Sequence, residues 1–309
     1  MPSGWSIGYH YDSFWLITKH RDTFRHVEDD SYKATNLNEY HAYLSSLTSH
    51  RTITKQPSIV NSPTVALITG ANGGIGRAAA EILASAHGYH VIIGSRSLKA
   101  GRDVADALTS RGLSASAIQL DLTADKDILA AAAFISETFG KLDVLVNNAG
   151  AHFDMNDNLS VCEQWTSTFS TNVIGTAVLT DALLPLLRKA QFPRIVFVSS
   201  TKGSMAAALD GSAGFYDVAV KAYDASKAAV NMLAIGYARV LKGDGGVANA
   251  VCPGLIETKM TAFMGKDLLA NHGAASVELG AKRIVEMATL EEGSAVSGAF
   301  SNRDGTIPW

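Results

Sequence analysis

The stretch Val65–Gly76 constrains this chain more than any other. The apolar run Val-Ala-Leu-Ile-Thr is followed at once by Gly70, Gly73, Gly74 and Gly76, and then by small and apolar residues at helical spacing through Ala86. A buried strand, a tight turn and a helix fit that order. Glycines at such a turn let backbone approach a phosphate closely, and the amides and dipole of the next helix favour its charge. The expected ligand is a dinucleotide whose pyrophosphate lies over Gly70, Gly74, Ile75 and Gly76.

The same alternation runs on from there. Strand-like runs at Thr64–Thr69, His90–Gly94, Ser116–Leu120, Leu142–Val146, Arg194–Ser199, Val247–Val251 and Gly298–Ser301 alternate with helical stretches. The helices are expected at Ile75–Ala86, Leu98–Arg111, Lys126–Phe139, Cys162–Lys189 with an interruption near Pro185, Ala222–Lys242 and Val277–Thr289. This pattern predicts an α/β fold, a doubly wound parallel sheet of seven strands with helices on both faces. Residues 1–63 differ in composition from the rest of the chain: they hold nine of the 24 aromatic residues and only Gly4 and Gly8 of 27 glycines. They are read as an irregular or peripherally packed extension, and 64–309 as the catalytic domain.

Composition excludes several classes. A net charge of −3 gives no footprint for nucleic acid or an anionic membrane. No window approaches eighteen consecutive apolar residues, and residues 1–25 carry charges where a secretory signal needs an apolar stretch. Cys162 and Cys252 are too few for a disulfide framework and are read as buried thiols in a reducing compartment, the cytoplasm. The five early histidines form no ligand pair, so no metal is expected. The Asn158-Leu159-Ser160 glycosylation pattern is read as chance.

Four motifs stand in register: Thr69-Gly-x-x-x-Gly-x-Gly76, Asn147-Asn148-Ala149-Gly150, Tyr223-x-x-x-Lys227 and Pro253-Gly254 through Thr258. Together they resemble the short-chain dehydrogenases/reductases over residues 64–309. The closing residues from Gly298 to Trp309 look similar to a carbonyl-reductase-like branch, for which secondary metabolism is a plausible setting. The resemblance implies a nicotinamide cofactor bordered by Asp121 at the adenine and by Asn148 and Ala149. It further implies backbone contacts from Ile75 and Ile256 and a carboxamide contact from Thr258. Asn147 is read as a brace between neighbouring elements, and Asp121 also as an N-cap.

No acidic residue follows the second strand; Gly94-Ser95-Arg96-Ser97 stands there instead. A guanidinium at that place pairs with a 2′-phosphate, so NADP(H) is preferred to NAD(H), with Ser95 or Arg77 as possible helpers.

Tyr223 and Lys227, at i and i+4, share one helix face, which puts an ammonium beside a phenol and is expected to lower its pKa. Hydride transfer to a carbonyl leaves an alkoxide that needs such an acid. By resemblance, Lys227 also binds the nicotinamide ribose, Ser200 positions the carbonyl, and Asn172 holds a water in the proton relay. Ser200 and Tyr223 lie 23 positions apart, farther than is usual for the family, so Thr201–Lys221 contains an insertion. Ser212 sits at the shorter spacing, but Ser200 directly follows the apolar strand and is preferred. Trp165, Phe169 and Met205 are read as core or interface, and Lys259, Met260, Phe263 and Met264 as an apolar lid.

The function expected is an NADP(H)-dependent reductase of a ketone or aldehyde. The alternatives are an NAD-dependent alcohol dehydrogenase and a catalytically silent dinucleotide sensor or scaffold. A small-molecule substrate is expected, without nucleic acid or a membrane span; monomer and homo-oligomer both stay open.

Overall fold

The computed structural model describes residues 63–211 and 218–309. The proposed extension lies, but for Pro63, outside the described residues, as does Ser212. Strands β1 (Val65–Thr69), β2 (His90–Ser95), β3 (Ala115–Gln119), β4 (Val144–Asn147), β5 (Arg194–Val198), β6 (Val247–Val251), β7 (Phe300–Asn302) and β8 (Gly305–Thr306) form one sheet in the order 3-2-1-4-5-6-7-8. β1 pairs in parallel with β2 and β4, Ala66 facing Val91 on one side and Val144 on the other. This is the doubly wound Rossmann arrangement.

The eighth strand is an addition to the seven expected. It runs antiparallel to β7 and closes a tight hairpin in which the Asn302 side chain accepts from the amides of Asp304 (2.9 Å) and Gly305 (3.0 Å). Two residues carry too little pattern to be read as a strand.

The described residues form nine α-helices: α1 (Gly74–His87), α2 (Leu98–Thr109), α3 (Asp125–Phe139), α4 (Val161–Phe169), α5 (Thr176–Leu187), α6 (Met205–Asp210), α7 (Lys221–Leu241), α8 (Lys266–Asn271) and α9 (Val277–Ala288). The π-helical turn Ser170–Gly175 joins α4 to α5.

Alternate residues of each strand serve opposite faces. Ala66, Ile68, Val91, Ile93, Val144 and Val146 share one core with Leu83 of α1, Leu108 of α2 and Ile284 of α9. Leu67, Ile92, Leu145 and Phe197 are buried on the other side, where Phe197 stacks on Tyr237 of α7 at 5.7 Å. Burial on both faces makes β1 apolar from Val65 to Ile68, which is why it reads as a continuous run.

The interruption expected near Pro185 falls at Ser170–Gly175 instead. Gly175 lies so close to the loop after β3 that a methyl there would stand 2.1 Å from the Leu122 carbonyl oxygen. Pro185 lies inside α5, two residues before its end. Taken as one segment, Val161–Leu187 is long and apolar enough by composition to cross a membrane, but half of its most apolar window is buried in the fold.

Two smaller expectations change. Cys252 is buried, but Cys162 lies on the outer face of the first turn of α4 and is exposed. Ser160, in the glycosylation pattern, forms a capping box for α4: its hydroxyl accepts from the Glu163 amide, and Glu163 accepts from the Ser160 amide at 2.8 Å.

Candidate active site

The site lies at the carboxyl ends of the parallel strands, where open α/β sheets bind ligands. Its floor is the glycine turn between β1 and α1. Gly70 and Gly74 adopt φ of 66° and 54°, the left-handed region that glycine enters freely. A methyl on Gly76 would stand 2.4 Å from Asn148 Nδ2 and 2.9 Å from the Gly70 carbonyl oxygen, so backbone fills that space. No side chain caps the start of α1, which leaves its first amides without an internal partner. Thr258 closes over the turn, its methyl 3.6 Å from where a side chain on Gly74 would begin.

Thr69 and Asn148 hold this turn against β4. The Thr69 hydroxyl accepts from the amides of Asn148 (3.0 Å) and Ala149 (2.9 Å), while Asn148 Nδ2 donates to the Thr69 carbonyl at 2.7 Å. The Asn148 amide therefore braces the turn from beneath. Asn147 Nδ2 donates to Thr180 of α5 at 3.0 Å, tying strand to helix. Ile75 is half-buried at the turn, and Ile256 is buried, with its carbonyl taken by the Thr261 hydroxyl at 2.8 Å.

At the other side of the cleft, Arg96 is exposed at the end of β2 and makes no ion pair among the described residues. Ser95 is buried against α2, where Gly101 packs on its Cβ, and its hydroxyl has no partner among the described residues. Arg77 is exposed on α1. Asp121 is not the N-cap of α3, a place taken by Ala124. It accepts instead from the Thr123 amide (2.9 Å) and hydroxyl (2.7 Å), bonds that hold its carboxyl below the ordinary range, helped by the positive charge of Arg96.

Tyr223 and Lys227 project from one face of α7, and Lys227 Nζ lies 5.5 Å from the centre of the Tyr223 ring. Ser200 lies beside the phenol, near enough to favour its ionised form, and its hydroxyl accepts from the Lys202 amide at 3.2 Å. Lys227 is buried and donates to the Val198 carbonyl at 2.8 Å, which uses one of its three hydrogens. Gly150 faces this group: a methyl there would lie 3.5 Å from both Lys227 Nζ and Asn172 Oδ1. The four candidate residues thus converge.

The expected low phenol pKa is a correction. Burial pushes Tyr223 well above its ordinary value, Cys252 and Asp224 push the same way, and only the neighbouring Ser200 hydroxyl opposes them. The ammonium is held by Val198 rather than at the phenol oxygen, so it does not offset desolvation. Burial likewise pulls Lys227 down to about 8.

Asn172 is 1% exposed within the π-turn. Its Oδ1 accepts from the Ala151 amide at 2.8 Å, and its Nδ2 donates to the Ala151 carbonyl (2.8 Å) and the Ser226 hydroxyl (2.9 Å). Both amide hydrogens are committed. π-Turns of this kind are frequent at functional sites.

Two residues of the loop after β4 carry no signal in the sequence. Asp154 accepts from the amides of Ala222 (2.7 Å) and Tyr223 (3.2 Å), capping a helix whose own N-cap residue, Val220, offers no side-chain bond. His152 packs edge-on against Tyr223 and Phe263 and reaches the Met260 carbonyl at 3.1 Å. Their partners lie 68 to 108 positions away, so no local pattern marks them.

The family profile described as short chain dehydrogenase matches residues 64–268. The chain belongs to the short-chain dehydrogenase family. It is 38% identical over 255 residues to the short-chain dehydrogenase anuI of Penicillium roqueforti, covering 80% of this chain and 97% of that protein. It is 34% identical over 206 residues to the 3-oxoacyl-[acyl-carrier-protein] reductase FabG of Escherichia coli, covering 66% and 78%. Among solved structures, an actinorhodin polyketide ketoreductase variant with NADPH superposes with a TM-score of 0.67 at 26% identity, covering 78% of this chain and 95% of that one.

As a short-chain dehydrogenase the protein is an oxidoreductase acting on CH–OH or carbonyl groups with a nicotinamide dinucleotide. The residues present fit that group: a turn with no room for a Cβ at Gly76, an uncapped helix start, and a buried ammonium with two hydrogens beyond the one given to Val198.

Proposed function

We propose that this short-chain dehydrogenase is an NADP(H)-dependent reductase of ketones or aldehydes. The observation that carries the reading is the placement of Tyr223 beside Lys227 and Ser200 at the carboxyl ends of the strands, where a protonated phenol is the proton donor that reduction needs. The names of related proteins, a 3-oxoacyl reductase and a ketoreductase, point the same way.

The bound dinucleotide supplies the hydride; the chain supplies position, charge and proton. Gly70, Gly74, Ile75 and Gly76 would take the pyrophosphate, Asp121, Asn148 and Ala149 would border the adenosine side, and Ile256 and Thr258 the nicotinamide. Arg96, unpaired at the end of β2 with no acid beside it on the strand, would pair with a 2′-phosphate, which supports NADP(H).

At the reacting centre Tyr223 and Ser200 would both hydrogen-bond the substrate oxygen, and charge developing there would be stabilised as Tyr223 gives up its proton. Lys227 would hold the ribose hydroxyls with its remaining hydrogens and lower the cost of the phenolate left behind. Because the Asn172 amide is spent on Ala151 and Ser226, its main-chain carbonyl is the atom that would hold a relay water.

Residues 64–309 are taken as the catalytic unit, with 1–63 an extension to it; the family match beginning at residue 64 supports that division. Two free thiols among the described residues suit the cytoplasm. A panel of ketones and aldehydes assayed by loss of NADPH or NADH absorbance tests the reading. Turnover with NADPH in clear excess over NADH is expected; faster alcohol oxidation with NAD, or cofactor binding without any turnover, would overturn it.

A further inference from the structure

His152 stands at the mouth of the reacting centre, its ring centre 6.0 Å from that of Tyr223 and 5.2 Å from that of Phe263. Its Nε2 lies 3.1 Å from the Met260 carbonyl oxygen. A carbonyl oxygen only accepts, so Nε2 carries the proton of that bond. In the neutral ring this fixes Nδ1 as a bare lone pair. Nδ1 is buried and finds no partner among the described residues.

A buried acceptor without a donor costs about 1–3 kcal/mol and is rare in folded proteins. Around this site the Thr69 hydroxyl, the Asn148 Nδ2, the Asp154 carboxylate and the Asn172 amide are bonded, whereas Asn147 Oδ1 and Asp224 Oδ1 are, like His152 Nδ1, buried without a partner among the described residues. Of these, His152 Nδ1 is the one whose ring packs against both the candidate proton donor and Phe263 of the 255–273 segment. A ligand that brings a donor to this place removes the cost, and one that buries the atom against carbon or an ether oxygen keeps it.

We infer that His152 Nδ1 accepts a hydrogen bond from a hydroxyl group of the substrate, so that the preferred substrates are hydroxylated ketones or aldehydes with the hydroxyl within a few bonds of the reacting carbonyl. The inference rests on the reductase reading of Tyr223. It adds a second polar anchor: Ser200 and Tyr223 hold the carbonyl oxygen, and His152 fixes which way the rest of the molecule points. The aromatic rings on either side of the imidazole suit a flat substrate.

The test uses the full chain with NADPH and two sets of probes. Acetophenone is compared with its ortho-, meta- and para-hydroxy and methoxy derivatives, and 2-butanone with 4-hydroxy-2-butanone. At least one hydroxylated compound should exceed both its parent and its methoxy counterpart, where one exists, by about ten- to a hundredfold in kcat/KM. His152→Phe keeps a ring against Tyr223 and Phe263 but has no acceptor, and should bring that ratio near one. His152→Asn, which keeps a side-chain acceptor near the Nδ1 position, should retain part of it. Both variants lose or weaken the tie to Met260, which slows all substrates alike and leaves the ratio unmoved. No hydroxyl preference in the wild type, or one that survives His152→Phe, overturns the role of His152 while leaving the reductase reading intact. No turnover of any probe, with NADPH bound, overturns the reductase reading and this inference with it.

Discussion

Asp154→Ala removes a carboxylate that reaches across from the loop after β4 to the second and third amides of the helix bearing Tyr223 and Lys227, at 2.7 and 3.2 Å. Loss of a capping side chain costs about 0.5–2 kcal/mol, and the anion's interaction with the helix dipole adds about 0.3–1 kcal/mol. Asp154 is half-buried, so water recovers part of this, and about 1–2 kcal/mol is the expected total. For a domain of this size each kcal/mol lowers Tm by about 2–4 °C, which gives a fall of roughly 2–8 °C. The remaining turns of α7 are packed against β5 and β6 and stay folded, so the loss is concentrated where Tyr223 sits. If it all goes into displacing that first turn, the correctly placed fraction, and with it kcat, falls by about five- to thirtyfold. Cofactor affinity should hardly change, because the glycine turn is built from other elements. Asp154→Asn, with one acceptor oxygen and no charge, should fall between. Thermal unfolding and NADPH-linked steady-state kinetics measure both effects; Asp154→Ala with wild-type Tm and kcat would refute the idea that this distant cap positions the phenol.

The other expectations concern the cofactor and the pH dependence. Arg96→Ala should raise KM for NADPH by about ten- to a hundredfold through loss of a charge-assisted pair, with little change for NADH; equal effects on both would remove Arg96 from cofactor choice. Gly76→Ala puts a methyl 2.4 Å from Asn148 Nδ2, so the turn must open, and fluorescence titration should show NADPH affinity at least about tenfold weaker. Lys227, pulled down by burial to about 8, is charged below that pH and neutral above it. Tyr223 stays protonated across this range, so kcat for reduction should fall as pH rises through about 8; a kcat that rises there would assign the titration to a base.

What the sequence displays and what it hides divide along physical lines. β1 and the glycine turn are readable because a strand buried on both faces is apolar from Val65 to Ile68 and because the turn needs Gly70, Gly74 and Gly76. Tyr223 and Lys227 are readable as a pair because helix geometry brings i and i+4 together. Asn172 reads as a helix residue, but the π-turn around it packs Gly175 against the Leu122 backbone, a contact between residues 53 positions apart that no local pattern shows. The expected low pKa of Tyr223 fails because proximity to Lys227 is visible in the spacing whereas burial and the Val198 carbonyl that holds the ammonium are not. Asp154, His152 and the outward-facing Cys162 are hidden for the same reason: each owes its role to elements remote in the chain.

The central claim is that a buried, protonated Tyr223, set beside Ser200 and backed by Lys227, gives its proton to the substrate oxygen in an NADPH-driven reduction. Tyr223→Phe tests it most directly, because it removes the hydroxyl and leaves the ring that packs on His152. With a ketone that the wild type reduces, kcat should drop by about 10²–10⁴-fold while NADPH binding is retained. Reduction at an undiminished rate by that variant would contradict the account.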